Sequence, residues 1–161
     1  MKKKPTKFSK IFGSGPIGLA VSVILLFIAI WLDRRFNLPA VTKNQSVLNI
    51  IFFVSIFLTL LMIVWSFKSL PAADRGTKLS TAGAFKYVRH PLYAAFLSLF
   101  NFGLAVHLNG YIYILWAILL HPVWHYVIKY EEQLMIDTFG KSYIEYQKHT
   151  GRFYPRLIIK K

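Results

Sequence analysis

The stretch Val47 to Phe67 reads VLNIIFFVSIFLTLLMIVWSF, interrupted only by the small polar residues Asn49, Ser55, Thr59 and Ser66. An uncharged run of this length crosses the ~30 Å hydrocarbon core of a bilayer as one helix. Trp65 stands near its exit, at the level where amphipathic rings meet the headgroups. The whole composition agrees with a membrane protein: 55% hydrophobic residues, 17% aromatic residues and a mean hydropathy of +0.46 over 161 residues. A soluble domain of this size has too little interior to hide so much apolar surface.

Working outward, a first apolar run goes from Pro16 to Leu32 and ends at Trp31-Leu32-Asp33-Arg34-Arg35. No small-residue cleavage site closes it, so it reads as a retained span and not a signal peptide. A loop from Asp33 to Ser46 follows, with Asn37 and Pro39 as breakers. Beyond the central run, Lys68 to Arg89 is a polar connection in which Pro71, Gly76 and Gly83 argue against one continuous helix. A third apolar run, Pro91 to Leu108, and a fourth, Tyr111 to Tyr130, are separated by the turn-forming His107-Leu108-Asn109-Gly110, which predicts a helical hairpin. From Glu131 the chain becomes amphipathic: Leu134, Met135, Phe139, Tyr143 and Tyr146 fall near helical spacing, and Gly140 divides them into two short helices.

The expected fold is therefore all-α: a polytopic transmembrane bundle of about four spans with a short C-terminal helical cap on the membrane surface. Residues 1–161 form one domain, with the first two spans and the polar loop in 1–82 and the remainder of the core in 83–155. The net charge of +14 would suggest nucleic acid in a soluble chain. Here the positive charge lies between apolar runs and suits anionic lipid headgroups instead, so the bilayer is the expected partner and nucleic acid is not. Of the 20 Lys and Arg residues, 17 belong to the N-terminal tail, the Lys68–Arg89 connection and the C-terminal tail counted with Lys129 at its border; Arg34, Arg35 and Lys43 lie on the other side. That bias predicts a multi-pass protein with both termini in the cytoplasm. The absence of cysteine excludes disulfides, thiolate metal sites and a cysteine nucleophile.

Two groups of residues could carry chemistry. Arg89-His90-Pro91-Leu92-Tyr93 opens the third span, and Pro91 suits the first turn of a helix whose free N–H groups favour an anion. Glu131-Glu132 closes the fourth span. A hairpin of spans three and four brings both groups to one end, on the cytoplasmic side. Isolated acidic pairs are ordinarily solvated. At a helix C-terminus facing an anionic leaflet, however, carboxylates are opposed by the dipole and by the surface potential, which points to a cationic ligand or an arginine partner. His121 and His125 are one turn apart but lack a third ligand at an established spacing, so no metal site is expected and a hydrogen-bonded interior role is.

The run Gly83-Ala-Phe-Lys-Tyr-Val-Arg-His-Pro-Leu-Tyr93, then Glu131-Glu132, then Phe139-Gly-Lys-Ser-Tyr-Ile-Glu-Tyr146 and Arg152-x-x-Pro155 resembles the isoprenylcysteine carboxyl methyltransferase family, and in part the related membrane phospholipid methyltransferases. The resemblance covers Gly83 to Pro155, in order; the chain departs from the family at Ala84, at Ala94-Ala95 and at Gly151. It implies an integral membrane methyltransferase that uses S-adenosylmethionine without a Rossmann domain, consistent with the lack of a G-x-G-x-x-G run. It also implies that Tyr87, Val88, His90, Pro91, Tyr93, Glu131 and Glu132 hold the cofactor, under the C-terminal cap. Arg89 and Arg152 are then the candidates for fixing the carboxylate of a lipophilic or lipid-modified acceptor. An amine acceptor of the phospholipid type would need deprotonation, for which His90 or a glutamate could serve. The sterol-reductase type of membrane enzyme, which binds NADPH, shares some C-terminal architecture but carries Asn before the motif tyrosine, where this chain has Pro91-Leu92. A scaffold without catalysis is the remaining alternative.

Overall fold

A computed structural model of the chain describes residues 13–74 and 76–156. The lysines from Lys2 to Lys10, Arg75, Lys160 and Lys161, which count towards the charge bias, lie outside the described residues. The first helix, α1, spans Gly15–Phe36, with Pro16 in its opening turn. It runs through Asp33-Arg34-Arg35, where the sequence suggested a loop, because its last turn carries two arginines that suit the negative end of the dipole. Asn37 then closes it in a left-handed conformation at φ 48°, with its N–H bonded to the Asp33 carbonyl. Asn44 begins α2, Gln45–Ser69, by accepting the Val47 N–H at 3.2 Å.

Short 3₁₀ turns at Ala72–Asp74 and Gly83–Lys86 occupy the polar connection. Helix α3, Pro91–His107, contains a π-helical segment, Ala95–Phe100, that no sequence signal announced. The turn at Asn109 (φ 59°) reverses the chain into α4, Tyr111–Val127, which continues through Pro122. An irregularity at Ile128 separates α4 from α5, Lys129–Phe139, and Gly140 (φ 57°) separates α5 from α6, Lys141–His149. The predicted division of the cap at Gly140 is therefore present.

Among the described residues, three helical stretches are long and apolar enough to cross a membrane: α1, α2 and the continuous Tyr111–Phe139 path of α4 and α5. Helix α3 is also apolar but shorter; its 17 residues reach only ~25 Å at 1.5 Å per residue. The packing order is α1 on α4, α4 on α3 and α3 on α2, while α1 and α2 share no comparable interface. Small residues set the close approaches. A Cβ on Gly18 would lie 2.7 Å from the Trp124 ring, and Gly103 packs directly on Ser55.

Several polar side chains inside the bundle are satisfied locally, as a hydrocarbon surrounding favours. The hydroxyls of Ser22, Thr59 and Ser66 donate to carbonyls one turn earlier at 2.7–2.8 Å. Trp124 Nε1 donates to Ser22 Oγ at 2.9 Å, and Trp116 Nε1 to the Ser22 carbonyl at 3.1 Å. The outer faces of α1 and α2 carry exposed Phe27, Ile28, Phe53, Phe57 and Leu61, which fit lipid. At the pole of the bundle where α3 turns into α4, Tyr113 donates to Asp33 Oδ2 at 2.8 Å. There the Asn109 side chain also clasps Thr42 through two hydrogen bonds of 2.8 and 3.0 Å.

Candidate functional site

The other pole holds every residue singled out for chemistry. The 3₁₀ turn at Gly83–Lys86 is fixed to the end of α2, where the Ala84 N–H donates to Ser69 Oγ at 3.0 Å. Gly83, at φ 58°, packs so closely on that serine that a side chain has no room. The chain then runs extended through Val88 and pairs in parallel with Gly151. Arg89 N–H donates to the Gly151 carbonyl at 2.8 Å and His90 N–H to the Arg152 carbonyl at 3.0 Å. This two-strand clasp presents Arg89, His90 and Arg152 to the start of α5.

Glu132 lies at the centre of a buried ionic trio. Arg89 donates to its Oε1 from Nε at 2.9 Å and from Nη2 at 2.7 Å. Arg152 meets Oε2 from Nε at 2.8 Å and from Nη2 at 2.7 Å. The remaining Arg89 nitrogen donates to the carbonyls of Thr150 and Gln147, and that of Arg152 lies 3.2 Å from His125 Nδ1. The glutamate side chain is only 4% exposed and that of Arg89 8%. The arginine partner that the sequence argument called for is present twice over. Its setting differs from the expected helix C-terminus, though: Glu131 and Glu132 follow the irregularity at Ile128 on the continuous path of α4 and α5, with the Glu132 N–H bonded to the Ile128 carbonyl at 2.9 Å.

Glu131 is held differently. Its Oε2 accepts the Ser14 backbone N–H at 3.0 Å and the Tyr93 hydroxyl at 3.1 Å, and Gly13 packs against the carboxylate. Its Oε1 lies 3.8 Å from His90 Nδ1, and no hydrogen-bond donor meets it among the described residues. The His90 ring stacks on Tyr93 at 5.6 Å. His90 Nε2 is buried and comes within 3.4 Å of Glu132 Oε1 without the alignment of a hydrogen bond. On α6, Tyr143 and Tyr146 meet edge to face at 5.9 Å, and the Tyr146 hydroxyl donates to the Phe85 carbonyl. Burial raises both phenol pKa values, so both remain neutral donors.

These groups surround a cavity of about 650 Å³, within the ~300–1,000 Å³ typical of small-molecule and cofactor sites. Arg89, His90, Pro91, Tyr93 and Glu131 line it, together with Tyr143 and Tyr146. Glu132 and Arg152 stand behind Arg89. Val88 is buried and contributes through its backbone, whereas Tyr87 is 51% exposed and turns its ring to Trp65, 5.7 Å away and outside the cavity. His121 lies 3.1 Å from the Tyr154 hydroxyl, and His125 meets Arg152, so both histidines have hydrogen-bonding partners. Among the described residues no three His, Cys, Asp or Glu side chains are grouped to hold a metal.

The first turn of α1 and the loop around Lys78 also reach the cavity, and neither was singled out from the sequence. The Ser14 contribution is a backbone N–H, which any residue type can supply. The only hint was the small-residue run Gly13-Ser14-Gly15-Pro16 ahead of the first span.

A membrane-embedded helical bundle with a charged, tyrosine-lined cavity at one pole fits a membrane methyltransferase, and comparison with known families agrees. The phospholipid methyltransferase family matches residues 44–142, from the cap of α2 to the first turn of α6. The match takes in more than half of the chain, and the chain belongs to this family. No curated protein matches it.

Proposed function

We propose that the protein transfers a methyl group from S-adenosylmethionine to the amine of a membrane-dissolved amphiphile, in the cavity beside Glu131 and on the cytoplasmic side. The observation that carries this reading is the contrast between the two glutamates. Both oxygens of Glu132 are taken up by arginine, whereas among the described residues Glu131 meets hydrogen-bond donors at Oε2 only, and its side chain lines the cavity.

S-adenosylmethionine, when bound, supplies an electrophilic methyl group whose bonding electrons stay with sulfur on transfer. The residues present fit it: the cavity has the volume, Glu131 Oε1 can meet a cationic or hydroxyl group, and the buried His90 Nε2 lacks a well-aligned partner. An ammonium acceptor must lose a proton before its lone pair can attack, and Glu131 Oε1 is the base placed to take it. Tyr143 and Tyr146 stay neutral and keep further charge out of the cavity. Much of the rate would then come from positioning the acceptor against the methyl group. Arg89 and Arg152 act through Glu132, holding the clasp of residues 88–90 with 151–152 in register.

The carboxylate acceptor expected from the sequence needs a free arginine to fix it. Because both arginines are bonded to Glu132, the amine reading has the better support. The gap between α1 and α2, whose ends both line the cavity, offers a lipid acceptor a sideways approach.

The test is titration of detergent-purified protein with S-adenosylmethionine and, separately, NADPH, followed by methyl transfer to vesicles holding an amine-headgroup lipid or a prenylated cysteine. S-adenosylmethionine should bind and the amine lipid should be methylated. Glu131→Gln should lower turnover by about 10²–10⁴-fold, the usual contribution of a general base, with a much smaller effect on cofactor affinity. Methylation of the prenylcysteine alone would return the reading to a carboxylate acceptor, and NADPH binding alone would move the protein to the reductases.

A further inference from the structure

Both ligands of the proposed reaction bear an anion: the cofactor its amino-acid carboxylate, and a phospholipid acceptor its phosphate. Among the described residues lining the cavity the cations are Arg89 and Lys78. Arg89 is 8% exposed, and its guanidinium is bonded to Glu132 and to the Gln147 and Thr150 carbonyls. Turning it towards a ligand would strip a buried carboxylate of one partner, which is costly. Lys78 has no such commitment. It is exposed, it lines the same cavity as Glu131, and it projects from a different wall, the connection between α2 and the 3₁₀ turn before Val88.

That connection is held in place around Lys78. The Asp74 carbonyl accepts the N–H of Thr77 at 3.2 Å, the N–H of Lys78 at 3.0 Å and the Thr77 hydroxyl at 3.1 Å. Two residues after Lys78, Ser80 Oγ donates to the Ser69 carbonyl at 3.0 Å, which ties the loop to the end of α2. Gly76, at φ 74°, permits the left-handed step that turns the chain between these anchors. A lysine that served only to attract the anionic leaflet would need neither the anchored loop nor a place in the cavity wall.

We infer that Lys78 is the anion-recognising residue of the cavity, placing the oxyanion of a bound ligand while Glu131 meets its cationic or proton-bearing group. This rests on the reading that the cavity holds cofactor and acceptor together. A flexible ammonium on a fixed loop acts as a point charge, so it selects for negative charge with little demand on geometry. The site would then favour acceptors that carry both an amine and a phosphate over simple long-chain amines.

The experiment compares wild-type protein with Lys78→Ala, Lys78→Arg and, as a surface-charge control, Lys86→Ala, an exposed lysine outside the cavity. Calorimetry gives the Kd for S-adenosylmethionine, and initial rates give KM for an amine-headgroup phospholipid and for a phosphate-free long-chain amine. If the oxyanion is the lipid phosphate, Lys78→Ala raises the phospholipid KM about tenfold or more and leaves the KM of the plain amine and the cofactor Kd unchanged. If it is the cofactor carboxylate, the Kd rises by a similar factor and the two acceptors are affected alike. In either case Lys78→Arg keeps values near those of the wild type, and Lys86→Ala does not reproduce the loss seen in Lys78→Ala. Equal losses in Lys78→Ala and Lys86→Ala, or no change in either quantity, overturn the inference. A wild-type protein that binds no S-adenosylmethionine and methylates neither acceptor fails the functional reading itself, a distinct outcome.

Discussion

The two poles of the bundle are both fastened by polar groups, yet they are built on different terms. At the α3–α4 turn, Tyr113 reaches Asp33 and Asn109 clasps Thr42 through short hydrogen bonds, and the His107 ring stacks on Phe52 with its buried Nδ1 left without a hydrogen-bond partner among the described residues. At the opposite pole one buried carboxylate takes up two arginines and, among the described residues, a second carboxylate is held at one oxygen. A pole that only had to be held together would need no such concentration of charge, because removing charges from water is costly even when they are paired. The excess marks the site, and the economical pole shows what fastening alone requires.

The comparison can be broken first at Glu132. Replacing it with alanine leaves two arginines facing each other without their shared carboxylate, and should destabilise the folded protein by about 3–5 kcal/mol. Methyl transfer should be lost as well. Thermal unfolding in detergent and an activity assay measure both; a variant that melts with the wild type would show the trio to be dispensable for the fold. A smaller effect is expected at alkaline pH. Burial raises the pKa values of Tyr143 and Tyr146, so the folded protein keeps phenol protons that the unfolded chain releases above about pH 10. The folded state then binds more protons than the unfolded one, and stability should fall as pH rises beyond that point. Urea titrations at pH 8 and pH 10.5 should show the loss, and Tyr143→Phe should reduce it. Least of all should matter Tyr113→Phe at the opposite pole: about 1 kcal/mol of stability, with turnover unchanged. A large loss of activity there would mean that the poles are coupled.

Much of the site pole could be read in the sequence because hairpin logic is robust. Once Asn109-Gly110 is recognised as a turn between two apolar runs, Arg89 and Glu132 must arrive at the same end, and they meet at 2.7 Å. The division of the cap at Gly140 was equally legible, since a break in amphipathic spacing has a direct backbone meaning. Other features carry no residue code. That both arginines converge on one glutamate depends on the clasp between Val88 and Gly151, a backbone pairing that side-chain identity does not announce. The π-helical segment of α3 and the Ser14 N–H on Glu131 are backbone features too. Tyr87 shows the reverse error: its place in a motif suggested a role in the cavity, but its ring turns outward to Trp65. Motif membership gives proximity along the chain; Tyr87 closes the 3₁₀ turn in a helical conformation (φ −95°, ψ −42°), ahead of the pairing at Val88, and its ring lies against Trp65.

The clasp between Val88 and Gly151 also sets a timetable. Arg89 and the Thr150 carbonyl it meets are 61 residues apart, so a ribosome adding ~5–20 residues per second delivers the second strand some 3–12 s after the first. During that interval the spans can enter the bilayer and pack, but Arg89 and Glu132 wait without Arg152 and the strand that aligns them. A nascent chain is thus inserted before it is competent, and any product cut short ahead of residue 150 would remain in the membrane as an inert helical bundle.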